Sequence, residues 1–546
     1  MKLKLLGLVV LSFLFNSCTS KPKTKLVVVL VADQMRPDHF SRFGELYKGG
    51  LKWLSDNGIS FENAFHQHGY TATGPGHFAI GSGNYPGQSG VLGNSYYDRE
   101  LGKVVNCVED PTAKPIGGEG IGRSYVRYSA KTIGDILKDS NSNSKVISIA
   151  GKDRSAIMLA GQNPDLVLYY NNLDRFITSS FYADSLPSYI NYFNSKLNLQ
   201  NYRDSLWTKV LNDSLYLKYS REDYFNGEVD WYKVEHDMIN ESKNDINDYN
   251  PTFPISFDKD HDPGEELMGT PWFDEVMIDL CNLIIDEENL GIDENPDILF
   301  VGFSAMDYII HNYGPFSQEA MDYFIRLDMQ LDRFLNHIDN KVGLENVEFI
   351  LTSDHGGLPL PEFLSQLNMS GGRINQEHLN EAFSWIEDEI SEQFENNLYF
   401  RDWSNFYLFH DKLKKKEYPV EDLIKIIKKY LTMVEGVSKV ITKDEILNST
   451  EDDQVSIRLK NMIHPNKSAD VFLILEPGYL YRNPHGTSHG SPYDYDAHVP
   501  ILFSKKDRNE NQNIDHTETV DIAPTILNLL DIKTNHAFDG KVLPVQ

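Results

Sequence analysis

Three strongly apolar runs in this chain each end at an acidic residue or at an acidic residue followed by histidine. The runs are KLVVVLVAD, DILFVGFSAMD and VEFILTSDH, and they end at Asp33, Asp307 and His355. Short apolar runs bounded by polar residues are typical of buried β-strands. In open α/β sheets the ligand lies where the carboxyl ends of the strands meet the loops. The pattern therefore predicts an α/β fold with a polar site at one edge of its sheet.

Length and charge limit the function classes. The chain has 546 residues, of which 40% are hydrophobic and 12% aromatic, enough for a large core in one oversized domain or in two domains. Its formal net charge is −29. The general electrostatic field therefore repels nucleic acids and anionic membranes, and we expect no nucleic-acid binding. An enzyme with this charge that binds phosphate anions must supply positive charge locally.

The N-terminal segment has the pattern of an export signal. Two lysines precede an apolar stretch over residues 5–15, which is short for a bilayer span but has the length of a signal-peptide core. Cys18 resembles the lipid-acceptor cysteine of bacterial lipoproteins, whereas residues 15–16 depart from the commonest lipobox, so ordinary cleavage stays open. We expect a signal peptide over 1–18, a tether over 19–24, and a periplasmic or outer-membrane-anchored lipoprotein whose only membrane contact is its lipid anchor.

Three cysteines are present, at positions 18, 107 and 281. If Cys18 carries lipid, Cys107 and Cys281 either form a disulfide in an oxidising compartment or stay as buried thiols. The sequence leaves both alternatives open.

Strand and helix patterns alternate in two blocks, over about 25–161 and 297–356. Residues 165–295, rich in Tyr, Asn and Asp, are interpreted as an insertion over the sheet. A second insertion is predicted over 360–465, and its segment EDLIKIIKKYLTMV has the apolar face of an amphipathic helix. The runs ADVFLILEPG and VPILFS are then expected to return the chain to the core. One catalytic domain with both insertions is thus predicted over 25–546.

Thr73 lies in the segment YTATGPGHFAIGSG. A threonine at an N-cap, followed by glycines and a proline, predicts a helix whose free N–H groups face whatever the threonine holds. A threonine hydroxyl is a poor nucleophile unless a base or a metal ion removes its proton. Because no Ser-His-Asp order is evident, we favour metal activation over a general base; the alternative is a plain capping threonine.

Six metal-competent residues divide into two groups of three. They are Asp33, Asp307, His311, Asp354, His355 and His489. Asp307 and His311 are four residues apart and face one side of a helical turn, with His489 from a distant loop as third ligand. Asp354 and His355 are adjacent, which requires a loop after the strand, and Asp33 completes their group. Three protein ligands leave an open position on each ion, as in catalytic zinc sites.

Positive charge for a phosphate is available at Lys152 and Arg154. Two divalent cations would balance the three aspartates and a Thr73 alkoxide, so a dianionic phosphate needs further cations. The alternative for this basic pair is a surface salt bridge.

Taken together, these residues resemble the alkaline phosphatase superfamily. The residues that carry the resemblance are Asp33, Thr73-Gly-Pro-Gly-His77, Asn94, Lys152-Asp-Arg154, Asp307-x-x-x-His311, Asp354-His355 and His489-Gly. Within the superfamily the chain is similar to the PafA-type phosphate-irrepressible alkaline phosphatases, on the nucleotide pyrophosphatase/phosphodiesterase-like branch. The closing segment VDIAPTILNLLDI also resembles that superfamily, so the resemblance covers nearly the whole mature chain in order.

The resemblance implies an alkaline-phosphatase-like sheet sandwiched by helices, with cap insertions. It implies that Thr73 is the nucleophile, that the two groups each bind one Zn²⁺, and that three side chains contact the nonbridging phosphoryl oxygens: Asn94, Lys152 and Arg154. The expected activity is an exported, zinc-dependent hydrolysis of small-molecule phosphate monoesters through a phosphothreonine, with release of inorganic phosphate.

Two alternatives remain. One is a phosphodiesterase or nucleotide pyrophosphatase of the same superfamily, and the other is a non-enzymatic surface protein that keeps a metal site for stability. A sulfatase would carry Cys or Ser at position 73, followed by an arginine that this chain lacks, and a cofactor-independent phosphoglycerate mutase would use serine.

Overall fold

The computed structural model describes residues 24–203, 205–228, 251–256, 262–403, 405–482 and 484–545. The predicted signal peptide, Cys18 and most of the predicted tether lie outside these residues. Within the described ranges, none of the helices combines the length and the apolar character that a bilayer crossing requires.

Twenty-two strands are present in the described ranges. They are β1 (Leu26–Ala32), β2 (Gly58–Phe61), β3 (Ala64–Phe65), β4 (Ser95–Asp98), β5 (Lys103–Asn106), β6 (Pro115–Ile116), β7 (Val146–Ala150), β8 (Leu166–Tyr170), β9 (Phe176–Ser179), β10 (Leu206–Trp207), β11 (Ile255–Ser256), β12 (Asp297–Phe303), β13 (Val347–Thr352), β14 (Gly372–Arg373), β15 (Tyr399–Asp402), β16 (Asn405–Leu408), β17 (Val437–Thr442), β18 (Val471–Leu475), β19 (Tyr479–Leu480), β20 (Ile501–Ser504), β21 (Asn511–Asn513) and β22 (Thr517–Glu518).

The α-helices of the same ranges are numbered separately. They are α1 (Asp38–Phe43), α2 (Gly50–Asp56), α3 (Thr73–Ser82), α4 (Pro86–Ser89), α5 (Ile133–Ser140), α6 (Asp153–Ala160), α7 (Ser188–Lys196), α8 (Gln200–Arg203), α9 (Asp213–Tyr219), α10 (Pro263–Leu267), α11 (Pro271–Glu288), α12 (Ala305–Tyr313), α13 (Gln318–Lys341), α14 (Pro361–Gln366), α15 (Gln376–Gln393), α16 (His410–Lys416), α17 (Val420–Leu431), α18 (Lys443–Asn448), α19 (Gln454–Asn461), α20 (Asp494–Ala497) and α21 (Ile522–Leu529).

Ten strands form the central sheet, in the order β21-β2-β20-β13-β1-β12-β7-β8-β9-β6. The five central strands from β13 to β8 run parallel to one another. Antiparallel pairs flank them, because β20 pairs with β13 and β2, while β9 pairs with β8 and β6. The carboxyl ends of the five parallel strands therefore meet at a single edge.

Strand β1 is buried along its whole length because helices cover both faces of the sheet. Val27, Val29 and Val31 pack on the face that α5 and α21 cover, whereas the alternate residues Leu26, Val28 and Leu30 pack on the face covered by α11 and α13. A continuous apolar run is what a strand buried on both faces requires. The predicted α/β fold, with helices on both sides of the sheet, is confirmed.

A second, four-stranded sheet has the order β15-β16-β18-β17. It forms a separate core with α15 and α17, and the apolar face of α17 buries Leu423, Ile426, Ile427 and Leu431 as its sequence predicts. The prediction that ADVFLILEPG returns the chain to the main core is wrong, because β18 pairs with β16 and β17 and packs in the second core. Of the two runs, only VPILFS joins the central sheet, as β20. An apolar run predicts a buried strand but does not specify its sheet.

The segment over 165–295 also differs from the expected insertion. Strands β8 and β9 extend the central sheet, and α11 packs on one of its faces. Apolar residues of these elements therefore belong to the main core.

Cys107 and Cys281 are buried free thiols. They lie in different apolar clusters, so the disulfide alternative does not hold.

Candidate active site

Four neighbouring strands bring polar residues to the carboxyl edge of the sheet. Asp33 directly follows β1, Lys152 follows β7, Asp354 follows β13, and Asp307 lies in α12 after β12. Because these strands are adjacent and parallel, residues far apart in sequence converge at this edge.

The first metal-competent group consists of Asp307, His311 and His489, whose donor atoms lie within 4.8 Å of one another. The Oδ1 atom of Asp307 is 3.3 Å from His311 Nε2 and 3.6 Å from His489 Nε2. Each imidazole is fixed from behind, since His311 Nδ1 is 2.8 Å from the Thr487 carbonyl oxygen and His489 Nδ1 is 2.7 Å from that of Thr71. Donation from Nδ1–H leaves the Nε2 lone pair to face Asp307, as in a metal-ligating histidine.

The second group consists of Asp33, Asp354 and His355, again with donor atoms within 4.8 Å. The Nε2 atom of His355 is 3.4 Å from Asp33 Oδ1 and 3.5 Å from Asp354 Oδ2. All three atoms are buried, and Asp33 Oδ1 and His355 Nε2 have no hydrogen-bond partner in the part of the chain that the structure describes. Within the same part of the chain, Asp354 Oδ2 contacts only His77 Nδ1 outside the group, at 3.2 Å. Buried polar atoms are nearly always satisfied, so two carboxylate oxygens and an imidazole nitrogen that face one another with so few partners fit a metal ion.

The electrostatics of both groups favour a cation. Burial and the neighbouring carboxylates of Asp307 and Asp354 raise the pKa of Asp33. Burial lowers the pKa of His355 and of His489, so both imidazoles are neutral near pH 7 and able to ligate. Three converging aspartates and neutral histidines form a donor set for divalent cations such as Zn²⁺.

Thr73 is the first residue of α3, and Ala72 occupies the N-cap with an extended backbone (φ −141°, ψ 162°). The predicted N-cap is therefore one residue too late. The Gly74 N–H donates to Asn94 Oδ1 at 2.8 Å. Because this bond uses the carbonyl oxygen of the Asn94 amide, its NH₂ group is the part of the side chain that can donate to another group.

Lys152 lies between the two groups. Its Nζ is 2.6 Å from Asp33 Oδ2, 2.6 Å from Asp307 Oδ2 and 3.5 Å from Thr73 Oγ1. Burial alone would lower the pKa of Lys152, but Asp307 and Asp33 outweigh it and raise that pKa. The structure thus places this ammonium on the aspartates, where its charge also faces the threonine hydroxyl.

Arg154 lies two residues further on, in the first turn of α6. Its Nη1 is 3.7 Å from Asp153 Oδ1, and its Nε has no partner among the described residues. Arg123 shares Asp153 through a 2.8 Å contact. Arg154 therefore keeps donor capacity, and the surface salt-bridge alternative does not describe either basic residue fully.

Two residues at this edge, His77 and Gln34, make contacts that the sequence did not predict. His77 Nδ1 is 2.8 Å from the Thr73 carbonyl oxygen and 3.2 Å from Asp354 Oδ2, so it connects the threonine helix to the second group. The i, i+4 spacing of Thr73 and His77 could have indicated this contact. Gln34 directly follows Asp33, and no local sequence pattern indicates its contacts.

Gly76 packs directly against the backbone of Asp354. A Cβ atom at position 76 would lie 2.0 Å from the Asp354 carbonyl oxygen, so Gly76→Ala forces α3 and the Asp354 loop apart. We expect a loss of about 1–3 kcal/mol in the free energy of unfolding, as is typical of overpacking. Thermal or denaturant unfolding of the variant measures this loss.

The matched control is Gly44→Ala. A Cβ atom at Gly44 meets nothing within 4 Å, and the residue has helical φ and ψ, so this variant should unfold like the wild type. Equal stability of both variants would show that the close approach at Gly76 is unimportant.

An α/β sandwich with this site at the carboxyl edge of its sheet has the architecture of an alkaline-phosphatase-like hydrolase. The sequence model of the type I phosphodiesterase/nucleotide pyrophosphatase family matches residues 27–498. The chain therefore belongs to that family.

Two curated relatives extend over almost the whole chain. Alkaline phosphatase PafA of Elizabethkingia meningoseptica is 30% identical over 550 residues, which cover 98% of this chain and 97% of PafA. Alkaline phosphatase PhoV of Synechococcus elongatus is 30% identical over 537 residues, which cover 97% of this chain and 94% of PhoV.

Solved structures agree with these relatives. The crystal structure of wild-type PafA superposes with a TM-score of 0.85 at 29% identity, and the match covers 96% of this chain and 99% of the chain in that crystal structure. Murine ectonucleotide pyrophosphatase/phosphodiesterase 5, at 12% identity and a TM-score of 0.51, shares the fold. The chain is an enzyme, a hydrolase of the alkaline phosphatase type, and the predictions of family and enzyme class are confirmed.

Proposed function

We propose that this enzyme hydrolyses phosphate monoesters with two Zn²⁺ ions, through a phosphothreonine at Thr73, and releases inorganic phosphate. The observation that carries the proposal is the convergence of both metal-competent groups on Lys152, whose ammonium also lies 3.5 Å from Thr73 Oγ1. The relatives named alkaline phosphatases support a monoester substrate.

The two groups would hold the ions. When bound there, zinc would lower the pKa of the Thr73 hydroxyl and stabilise the negative charge on the leaving oxygen. The donor atoms are oxygen and nitrogen without thiolate, which suits zinc and leaves room for manganese or cobalt as substitutes.

The reaction proceeds in two displacements. In the first, Thr73 Oγ1 attacks phosphorus in line, an Oγ–P bond forms, and the ester P–O bond breaks to release the alcohol. In the second, water attacks the phosphothreonine, the Oγ–P bond breaks, and inorganic phosphate leaves while Thr73 regains its proton. Thr73 is almost fully buried, which keeps bulk water away from the nucleophile before substrate binds.

Asn94, Lys152 and Arg154 bind the nonbridging oxygens in this proposal. A monoester presents three terminal oxygens, whereas a diester replaces one of them with an ester group. Lys152, which lies 3.5 Å from Thr73 Oγ1, and Arg154 would therefore favour the monoester, because each charge-assisted contact is strongest to a free anionic oxygen.

The test is the double variant Lys152→Ala/Arg154→Ala. A hydrogen bond to a charged group contributes about 1.5–3 kcal/mol, so monoester kcat/KM should fall by roughly two to four orders of magnitude, with non-additivity between neighbours. Diester kcat/KM should change little. The measurement compares a phenyl phosphate monoester with its diester on the same zinc-loaded proteins.

Lys131→Ala/Arg175→Ala is the matched control, because it removes one lysine and one arginine from solvent-exposed ion pairs. Its kinetics should equal those of the wild type. A parallel drop of monoester and diester activity in the Lys152→Ala/Arg154→Ala enzyme would contradict monoester selection by this pair.

The second candidate is a phosphodiesterase or nucleotide pyrophosphatase, which the description of the matched family favours. The same pair of substrates decides between them, since a wild-type preference for the diester assigns the chain to this alternative. Export, with a lipid anchor at Cys18, is part of the proposal and rests on the sequence pattern of residues 1–18.

A further inference from the structure

Gln34 is a buried glutamine with an unusual backbone. It directly follows Asp33 and is 0% exposed. Its φ is 65°, in the left-handed region, which costs a non-glycine residue about 1 kcal/mol or more. A residue held in this conformation inside a core needs a compensating role.

The backbone of Gln34 contacts the second metal-competent group. Its N–H donates to Asp354 Oδ1 at 3.2 Å. The Oδ2 atom of the same carboxylate faces His355, at 3.5 Å, so the Gln34 bond fixes the side of Asp354 that points away from the group's centre.

The side chain of Gln34 contacts the first group. With its NH₂ directed at Asp307, the amide donates to Asp307 Oδ1 at 2.9 Å and to the Asp307 carbonyl oxygen at 3.2 Å. The opposite assignment would set the amide oxygen against these two acceptors, so hydrogen bonding selects this one. Oδ1 is also the Asp307 atom that faces His311 and His489.

Lys152 holds the other oxygen of Asp307, at 2.6 Å from Oδ2. The carboxylate thus has a partner on each side; in the proposed function the ammonium of Lys152 turns to the phosphoryl oxygens, which leaves the amide of Gln34 to orient Asp307. Gly357 leaves room for this amide, because a Cβ atom at that position would lie 2.1 Å from its terminal atom.

We propose that Gln34 is a positioning residue that orients the Asp307 carboxylate for the ion held by Asp307, His311 and His489. The left-handed backbone at position 34 aims the side chain at Asp307 while its N–H stays on Asp354. The inference rests on the proposed zinc dependence and adds a residue that contacts neither substrate nor metal.

The test measures zinc affinity. Gln34→Met keeps the length of the side chain and removes its donor, whereas Gln34→Gly removes the side chain and relieves the left-handed backbone. Both variants should lower the affinity for one of the two zinc ions by roughly 10–100-fold, the usual loss when an outer partner of a metal ligand is removed. Competition with a chromophoric zinc chelator, together with elemental analysis, measures both affinities.

A double-mutant cycle shows which group holds the ion whose affinity falls. His489→Ala removes a donor from the first group, so adding Gln34→Met to it should change the remaining zinc affinity by less than about twofold. Glu417→Gly is the backbone control, because Glu417 also has a left-handed φ of 58°, is exposed and lies in the second insertion. It should bind both ions like the wild type.

Three outcomes would overturn the inference. The first is wild-type affinity for both ions in the two Gln34 variants. The second is an equal loss of affinity for both ions, which would indicate general damage to the site. The third is a wild-type protein that binds no zinc, which would overturn the proposed function and this inference with it. A lower affinity for one ion only, in both Gln34 variants, supports the inference.

Discussion

Replacing Thr73 with alanine is expected to reduce kcat by a factor on the order of 10⁴–10⁶, the range seen when a catalytic nucleophile is deleted. Folding should survive, because Ala72 and not Thr73 is the N-cap of α3, and Thr73 Oγ1 has only a 3.5 Å contact with Lys152 among the described residues. Thr73→Ser retains a hydroxyl and should keep a measurable share of the activity. Steady-state kinetics and thermal unfolding of both variants measure these effects.

The intermediate gives a second readout of the same prediction. Rapid acid quenching of the wild type with a phosphate monoester should trap a phosphoprotein, and mass spectrometry of its peptides should place the phosphate on Thr73. Phosphate on another residue, or full activity of Thr73→Ala, would show that the threonine is not the nucleophile.

Removal of metal is expected to abolish turnover. Without divalent cations, Asp33, Asp307 and Asp354 present converging negative charge with Lys152 as the cation that bridges two of them. A phosphate dianion is repelled by that arrangement, and the Thr73 hydroxyl keeps its ordinary, unreactive protonation state. Dialysis against a chelator, followed by activity measurement at defined zinc concentrations, should show recovery at two equivalents.

Thermal unfolding provides an independent check on metal binding. Zinc that binds the folded chain stabilises it by mass action, so the midpoint temperature should rise as zinc is added back. His489→Ala, which removes one donor, should require more zinc for the same rise. Full activity in a preparation that elemental analysis shows to be metal-free would refute the proposed cofactor.

The fold was largely predictable because the strands β1, β12 and β13 are continuous apolar runs that end at polar residues. A run such as Leu26–Ala32 can only be satisfied between two covering layers, which specifies the α/β class. The position of β18 was not predictable, since Val471–Leu475 is as apolar as a central strand and long-range pairing decides its sheet.

The candidate site was predictable in composition more than in geometry. Asp307 and His311 share a helical turn, and Asp354 follows a strand, so local patterns already place them on the same sheet edge. The position of Lys152 between Asp33 and Asp307 depends on the neighbouring order of β1, β12 and β7, which local patterns do not encode. The catalytic and metal-binding roles of these site residues stay predictions until the variants are measured.

Gln34 shows a further limit of sequence reasoning. A glutamine has no strong local preference that signals a buried position, and its left-handed φ arises from the surrounding structure. Its contact with Asp307 joins residues half a chain length apart, so only the assembled sheet reveals it.

The donors of the first group enter the chain late and far apart, with Asp307 and His311 before the second insertion and His489 after it. A product that stops anywhere before position 489 lacks the third donor, however well its earlier strands have formed. On the proposed assignment, catalytic competence is thus acquired only near the end of synthesis. Chains that end before position 489 would therefore not hydrolyse phosphate esters, so activity reports that synthesis has passed that position.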